Sequence, residues 1–418
     1  MQKTIIRFPQ STKSPASPAS PASPALRKWP KSLAGAALLA SAAGVAHAQS
    51  GVTLYGVIDV PIEYINHLAG SAPTINPVTG AVTSKPGGNK FGMETNGGLS
   101  GSRWGLRGVE DLGGGLQGLF VLESGFGADT GQSLQGGRLF GRKAYVGLQS
   151  DRLGQIALGR QDTTMFTMLG NFSPSKYALL FEPIVALLGT TYGQDNVISY
   201  QAVKGPVTVK AHYSFGVGTP AFGLTPLAGQ GAGETPGHAR DNTAYGAGAM
   251  YLDNRFGVTA SYDQWNPAAT AGSPGTVKKA ALAFAYYLPR TKFVAGYRWG
   301  QNKDAGGNTL LRDDFWWVGV NHDLTSALSL SLAYYYDNQK ILRTNAVQPA
   351  LNPVNPWQVN LIADYAFSKR TDVYLTVAYV KNSGLNFDSA AISFANGAYL
   401  TPGSNSQIGA AMGIRHKF

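Results

Sequence analysis

Apolar and polar residues alternate with period two along most of the chain from residue 52 to residue 418, the pattern of strands with one apolar and one polar face. In the stretch 328–336, Leu328, Leu330, Leu332, Tyr334 and Tyr336 fall on one face, and Ser329, Ser331, Ala333, Tyr335 and then Asp337 on the other. Such a strand suits a transmembrane barrel, apolar toward lipid and polar toward water. It suits a soluble β-sandwich equally well, the apolar face then being the core. The spacing of the breaks separates the two. Short turns fall at 110–114, 151–154, 204–206, 253–257, 288–291, 322–327 and 368–371. Between them lie long Gly-, Asn-, Pro- and Ser-rich stretches at 66–99, 127–137, 162–193, 218–240, 266–275, 301–312, 339–353 and 382–404. This division predicts eight hairpins joined by seven short turns, an all-β fold of sixteen antiparallel strands. Alternating short and long connections mark the two sides of a membrane, and about sixteen strands leave an aqueous channel. A sandwich has no reason to segregate its connections.

The last strand, 407–418, sets Ile408, Ala410, Met412, Ile414, His416 and Phe418 on one face. It must close against the first, 52–60, because an open edge in lipid leaves backbone groups unpaired. Tyr286, Tyr287, Tyr365, Phe367 and Tyr379 sit near strand ends, as residues of interfacial girdles do.

Composition supports many strands and frequent turns: 53 Gly, 20 Tyr and 18 Phe, with 14% charged residues. The chain has no Cys, which excludes disulfides, Cys-type zinc sites and thiol chemistry. At the N-terminus, Lys28 and Lys31 precede an apolar run from Leu33 to Val45, and Ala46-His47-Ala48 supplies a small-x-small cleavage pattern. The run is shorter than the roughly 20 residues a membrane helix needs. Residues 1–48 therefore read as an N-terminal extension and secretory signal peptide cleaved before Gln49, and 49–418 as the barrel domain. The extension holds four Ser-Pro-Ala units between Ser14 and Ala25, a composition without a core. Removing residues 1–48 takes six Lys/Arg and no acids, so the formal charge falls from +11 to +5. Most of the basicity belongs to the export segment, and a nucleic-acid partner loses its support.

Alternation also proposes the residues that line the water-filled side. With Trp104 and Leu106 toward lipid, Arg103, Gly105 and Arg107 face inward; with Val146 and Leu148 toward lipid, Lys143, Tyr145 and Gly147 do. Asp59, Glu123, Arg298 and Arg415 share the inward parity. Arg142 has the outward parity unless it lies beyond the bilayer or a bulge turns it. A Lys or Arg on the lipid face at mid-depth costs about 2–4 kcal/mol, which favours inward placement. Arg160 and the charges of the stretch 162–193, Asp162, Lys176 and Glu182, complete the candidate lining.

Enzyme signals are poor. The six His are scattered and form no His-x-x-x-His pair with Glu, so neither a metal site nor a cofactor is indicated. Gly113-Gly114-Gly115-Leu116-Gln117-Gly118 fits a dinucleotide motif formally, but it joins two strands rather than a strand and a helix. It reads as a tight turn.

Several blocks carry a resemblance over essentially the whole mature chain: Ser50-Gly51-Val52-Thr53-Leu54-Tyr55-Gly56, Ser102-Arg103-Trp104-Gly105-Leu106-Arg107-Gly108, Leu139-Phe140-Gly141-Arg142-Lys143-Ala144-Tyr145, Leu158-Gly159-Arg160-Gln161 and the ending Gly413-Ile414-Arg415-His416-Lys417-Phe418. The sequence resembles the Gram-negative general porins of β-proteobacteria, the Burkholderia, Bordetella and Comamonas type. The resemblance implies a sixteen-stranded barrel in outer-membrane lipid and lipopolysaccharide, assembled as a homotrimer. It also implies a third extracellular loop folded into the lumen, and Phe418 read by the barrel-assembly machinery. Small hydrophilic solutes and ions would then diffuse passively. Related porins set a ladder of wall cations against acids on the loop; Arg103 and Lys143 match two rungs. The run Tyr192-Gly193-Gln194-Asp195-Asn196-Val197-Ile198-Ser199-Tyr200 lacks an Arg that some members carry. A mild anion preference is the resulting expectation. A solute-specific channel, with Phe166, Tyr177 and Tyr192 as an aromatic track, and a barrel hydrolase are the alternatives.

Overall fold

The computed structural model describes residues 51–76, 82–218, 234, 236–267, 275–343, 349, 352–388 and 397–418. Residues 1–50 and parts of five long connections lie outside these residues. The wall consists of β1 Gly51–Leu68, β2 in two segments, Gly88–Met93 and Arg103–Gly113, β3 Leu116–Gly125, β4 Lys143–Ser150, β5 Gly154–Asp162, β6 Gly193–Lys204, β7 Val207–Ser214, β8 Thr243–Leu252, β9 Phe256–Asn266, β10 Thr276–Leu288, β11 Thr291–Lys303, β12 Thr309–Asp323, β13 Leu328–Leu342, β14 Trp357–Ala366, β15 Thr371–Lys381 and β16 Ser406–Lys417. Each pairs antiparallel with the next, and β16 pairs with β1 from Gly409 opposite Ile65 to Lys417 opposite Val57. The result is a closed sixteen-stranded barrel. Each of the seven short turns and eight long stretches read from the sequence spans a junction between strands, although 66–99 also holds the upper segment of β2 and 110–113 belong to its lower one. Among the described residues no helix is long and apolar enough to cross a membrane.

Closure removes the sandwich reading, because the apolar face of the alternation points away from the enclosed side. Val52, Leu148, Leu282, Val318 and Met412 are each more than half exposed, whereas their neighbours in sequence turn inward. This is the arrangement lipid requires. Tyr286, Tyr365 and Phe367 lie outward too, the last two edge to face at 5.3 Å.

The terminal residue completes the seam. Gly56 and Phe418 exchange backbone hydrogen bonds of 3.1 Å in both directions, and the Phe418 ring occupies the space a side chain at Gly56 would need. Gly56→Leu is therefore expected to displace the ring and lower the yield of folded, heat-modifiable barrel in a refolding gel assay. An undiminished yield would show that the ring has no part in closing the seam.

Two departures from simple alternation shape the interior. β2 is interrupted: its upper segment, Gly88–Met93, pairs with the upper half of β1, and its lower segment with the lower half. The chain between them, 94–102, leaves the wall. The sequence hides the upper segment inside a long Gly-rich stretch. The second departure is that much of the inward face of β10–β16 is apolar or small. Ala281, Ala283, Ala285, Val294, Phe315, Trp317, Ala333, Ala378 and Ala411 are buried, in a cluster with the loop that joins β5 to β6.

That loop, residues 163–192, contains two short helices, α1 Thr164–Leu169 and α2 Ile184–Leu188. Thr163 caps α1 by accepting the Phe166 N–H. Met165, Leu169, Phe172, Phe181, Leu187 and Leu188 are all at most 1% exposed. Each large side chain so buried contributes about 1.5–3 kcal/mol, and Ala on the wall leaves them room.

Candidate functional site

The inward loop packs mainly against the inner faces of β7–β14. Its attachments explain this. Lys292 and Trp317 donate to the carbonyls of Asn171 and Phe172 at 2.6 and 2.8 Å. Gln358 donates to the Phe181 carbonyl at 2.6 Å, and Asn360 donates to the same oxygen. Leu180 N–H reaches Gly98 of the β2 interruption at 2.9 Å. The loop thus crosses the lumen. Lys176, Tyr177 and Phe181 adopt positive φ of 56°, 62° and 64°, conformations costing about 1–3 kcal/mol each that persist only where surroundings enforce them.

Glu182 is the centre of the enforcement. Its carboxylate accepts from Ser173 Oγ at 2.7 Å, Tyr335 Oη at 3.0 Å and the backbone N–H groups of Ala178 and Ser175 at 3.0 and 3.4 Å. It is 1% exposed. Burial is the largest influence and holds its carboxyl above the usual range, the four donors pulling the other way. Alternation and loop membership make Glu182 a candidate lining acid. The geometry instead makes it a tether inside the loop.

The opposite wall is cationic. Register places Glu123 of β3 opposite Gly105 of β2 and Lys143 of β4. Arg142 Nε approaches Glu123 Oε1 at 2.6 Å, Arg103 Nε lies 3.7 Å from Oε2, and Tyr55 donates to Oε2 at 3.0 Å. Lys143 Nζ pairs with Asp162 at 2.8 Å. Arg160 pairs with Asp195 at 2.6 Å, as does Arg138 at 2.9 Å. Arg107 is exposed toward the short-turn side, 5.8 Å from the Tyr55 ring centre. Lys176 is exposed on the loop.

Arg142 shows where alternation stops applying. It precedes the first residue of β4, so its outward parity is not imposed and the side chain turns to Glu123. Asp59 does face inward, but it is 1% exposed and accepts from Ser100 N–H at 2.7 Å and Tyr374 Oη at 2.6 Å. It anchors the β2 interruption. Arg415 pairs with Asp372 and Asp364 at 2.9 and 3.1 Å. Lys210 of β7 was not among the sequence candidates; it donates to the Asp162 carbonyl at 2.9 Å and Thr167 Oγ1 at 2.8 Å. Its inward parity in the alternation of β7 was the available signal. Arg138, in an irregular connection, gave none.

Around this wall, Arg103, Arg138, Arg142, Lys143 and Arg160 are five cations paired with three carboxylates, Glu123, Asp162 and Asp195, and Lys210 adds a sixth positive charge on the Asp162 backbone carbonyl. Between wall and loop lies a space of about 250 Å³ bordered by Arg103, Arg142, Phe166, Tyr177, Leu179 and Tyr192 among others. Such an arrangement gates by charge at a narrow point and needs no chemistry.

A family model described as Gram-negative porin matches residues 34–385. An outer membrane porin protein of Bordetella pertussis is 31% identical over 424 residues, covering 93% of this chain and all of the relative. Outer membrane porin protein 32 of Delftia acidovorans is 29% identical over 411 residues, covering 93% and 99%. Among solved structures, the anion-selective porin from Comamonas acidovorans superposes with a TM-score of 0.66 at 23% identity, covering 88% of this chain and 100% of that one. OmpT of Vibrio cholerae superposes at 0.58 with 14% identity, covering 88% and 98%.

Proposed function

Because this chain belongs to the Gram-negative porin family, we propose that its lumen is a general diffusion pore with a mild preference for anions and small neutral solutes. As a member of that family it is an outer-membrane β-barrel channel and not an enzyme. The observation that carries the selectivity is the fate of the loop acid. Glu182, the one acid of residues 163–192, is taken up by four donors of the loop and of Tyr335, so it forms no ion pair with the cations of the β2–β5 wall. Fixed charge at the narrowest point lowers the barrier for the opposite sign. The ion pairs with Glu123 and Asp162 keep the excess modest.

The test is the reversal potential of planar bilayers across a KCl gradient. Anion preference is expected for the parent channel, and a shift toward cations by at least several millivolts for Arg103→Gln with Lys143→Gln. An unchanged potential would remove both residues from the filter. Arg107, Arg160 and Lys176 belong to the same proposed lining, at its edges.

The assembled form proposed is a homotrimer in outer-membrane lipid and lipopolysaccharide, with Phe418 read by the assembly machinery; OmpT of Vibrio cholerae is described in a trimer form. Residues 1–48 are proposed as the export segment. N-terminal sequencing of the mature protein is expected to begin at Gln49, and a start inside 1–48 would overturn that boundary.

A further inference from the structure

The space between wall and loop has two chemically different sides, and the difference implies a class of solute. On the loop side Phe166 and Tyr177 stack at 4.5 Å with 15° between their planes, and Tyr192 lies 5.5 Å from Phe166. The ledge is rigid: Tyr177 Oη donates to the Phe166 carbonyl at 3.0 Å and Tyr177 N–H to Ser173 Oγ at 2.9 Å. Facing it are the guanidinium groups of Arg103 and Arg142, which share Glu123. Two cations on one carboxylate leave a net positive charge. Arg142 engages Glu123 through Nε, and the guanidinium carries two further donor nitrogens of the kind that suit carboxylates.

An aromatic ledge is a poor surface for a pore that serves only hydrated ions, since the rings give water nothing to bond. It is a good surface for the ring of a solute whose charge is held across the gap. The space of about 250 Å³ lies below the roughly 300–1,000 Å³ of drug-sized sites, which limits the occupant to about one ring.

Resting on the reading of the lumen as an open pore, we infer that the constriction is a weak binding site for aromatic monocarboxylates, passing them by saturable rather than linear flux. The ring lies on Phe166 and Tyr177, and the carboxylate meets Arg142 and Arg103.

Single-channel recording of the full-length mature protein in KCl tests this, with sodium benzoate, sodium acetate and phenol added in turn. Benzoate is expected to reduce the current in a saturable way at millimolar concentration; acetate, lacking the ring, and phenol, lacking the charge, are expected to need at least tenfold more. Phe166→Leu is expected to raise the half-blocking concentration of benzoate several-fold while that of acetate, which does not use the ring, changes little. Tyr177→Phe, which keeps the ring, is expected to retain the block. Equal block by benzoate and acetate, or an undiminished block in Phe166→Leu, overturns the inference while leaving the open pore intact. Folded protein that does not conduct KCl overturns the open pore itself, and the site with it.

Discussion

Replacing Glu182 by Leu is expected to release the inward loop and raise single-channel conductance about twofold or more, with noisy, fluctuating openings in place of steady ones. The reason lies in what the carboxylate leaves behind. Tyr335 Oη, Ser173 Oγ and two backbone N–H groups lose their acceptor at once in a site with 1% exposure. Each buried donor left unsatisfied costs about 1–3 kcal/mol. The loop also keeps three positive-φ residues in place, Lys176, Tyr177 and Phe181, whose strain is relieved when the tether goes. The barrel wall does not share the loss. Its strands are joined by their own backbone ladders from β1 to β16, so the folded, heat-modifiable band is expected to persist while residues 163–192 become open to added protease. A variant with unchanged conductance and unchanged protection of the loop would show that the apolar seat alone holds it. Glu182→Gln separates charge from hydrogen bonding: the amide keeps one acceptor oxygen, so an intermediate effect is expected.

The barrel was legible in the sequence because its physical demands are periodic. Lipid outside and water inside impose period two on every strand, and the two membrane faces impose short and long connections in turn. Leu328 to Asp337 shows both faces of that rule in one stretch. Where a third body enters, the rule fails. The inward positions of β10, Ala281, Ala283 and Ala285, are neither polar nor bulky because they accommodate the loop, a partner far away in sequence. Nothing local distinguishes such an alanine from one facing lipid. Arg142 and the β2 interruption were obscured for a related reason: each lies where the chain leaves the ladder, so parity no longer dictates direction.

The candidate charges divide along the same line. Arg103, Lys143 and Glu123 sit on regular strands, and alternation alone directs them inward. Glu182 and Asp59 satisfy the same inward placement yet are consumed by hydrogen bonds that only the fold brings together, with Tyr335 and Tyr374 from strands far along the chain. Charge and parity nominate a residue for the pore; free exposure to water decides whether its field reaches a passing ion.

The second anchor of the loop gives an equally large expected effect by a different route. Arg298 on β11 is 1% exposed, pairs with Asp313 at 2.6 Å, and donates to the carbonyls of Ala186 and Leu187 at 2.6 and 3.3 Å. Those carbonyls belong to α2, which is too short to satisfy them internally. Lys279 stands 3.6 Å from the same Asp313, so the group is a buried cluster rather than an isolated pair. Removing one member of a buried pair costs about 3–5 kcal/mol because a charge is stranded, whereas replacing both by apolar residues of similar volume is often neutral. Arg298→Met is therefore expected to lower the urea midpoint of unfolding markedly and to loosen the loop, since Asp313 and both carbonyls lose their partner. Asp313→Leu alone strands Arg298 and Lys279 together and is expected to be at least as harmful. The double variant Arg298→Met with Asp313→Leu is expected to recover part of the loss but not all of it, because the α2 carbonyls remain unpaired and buried Lys279 has still lost Asp313. The recovered fraction measures the ion pair, and the remainder combines the grip of Arg298 on the loop with the stranded charge of Lys279. Strictly additive losses in the double-mutant cycle would show that the two side chains act independently.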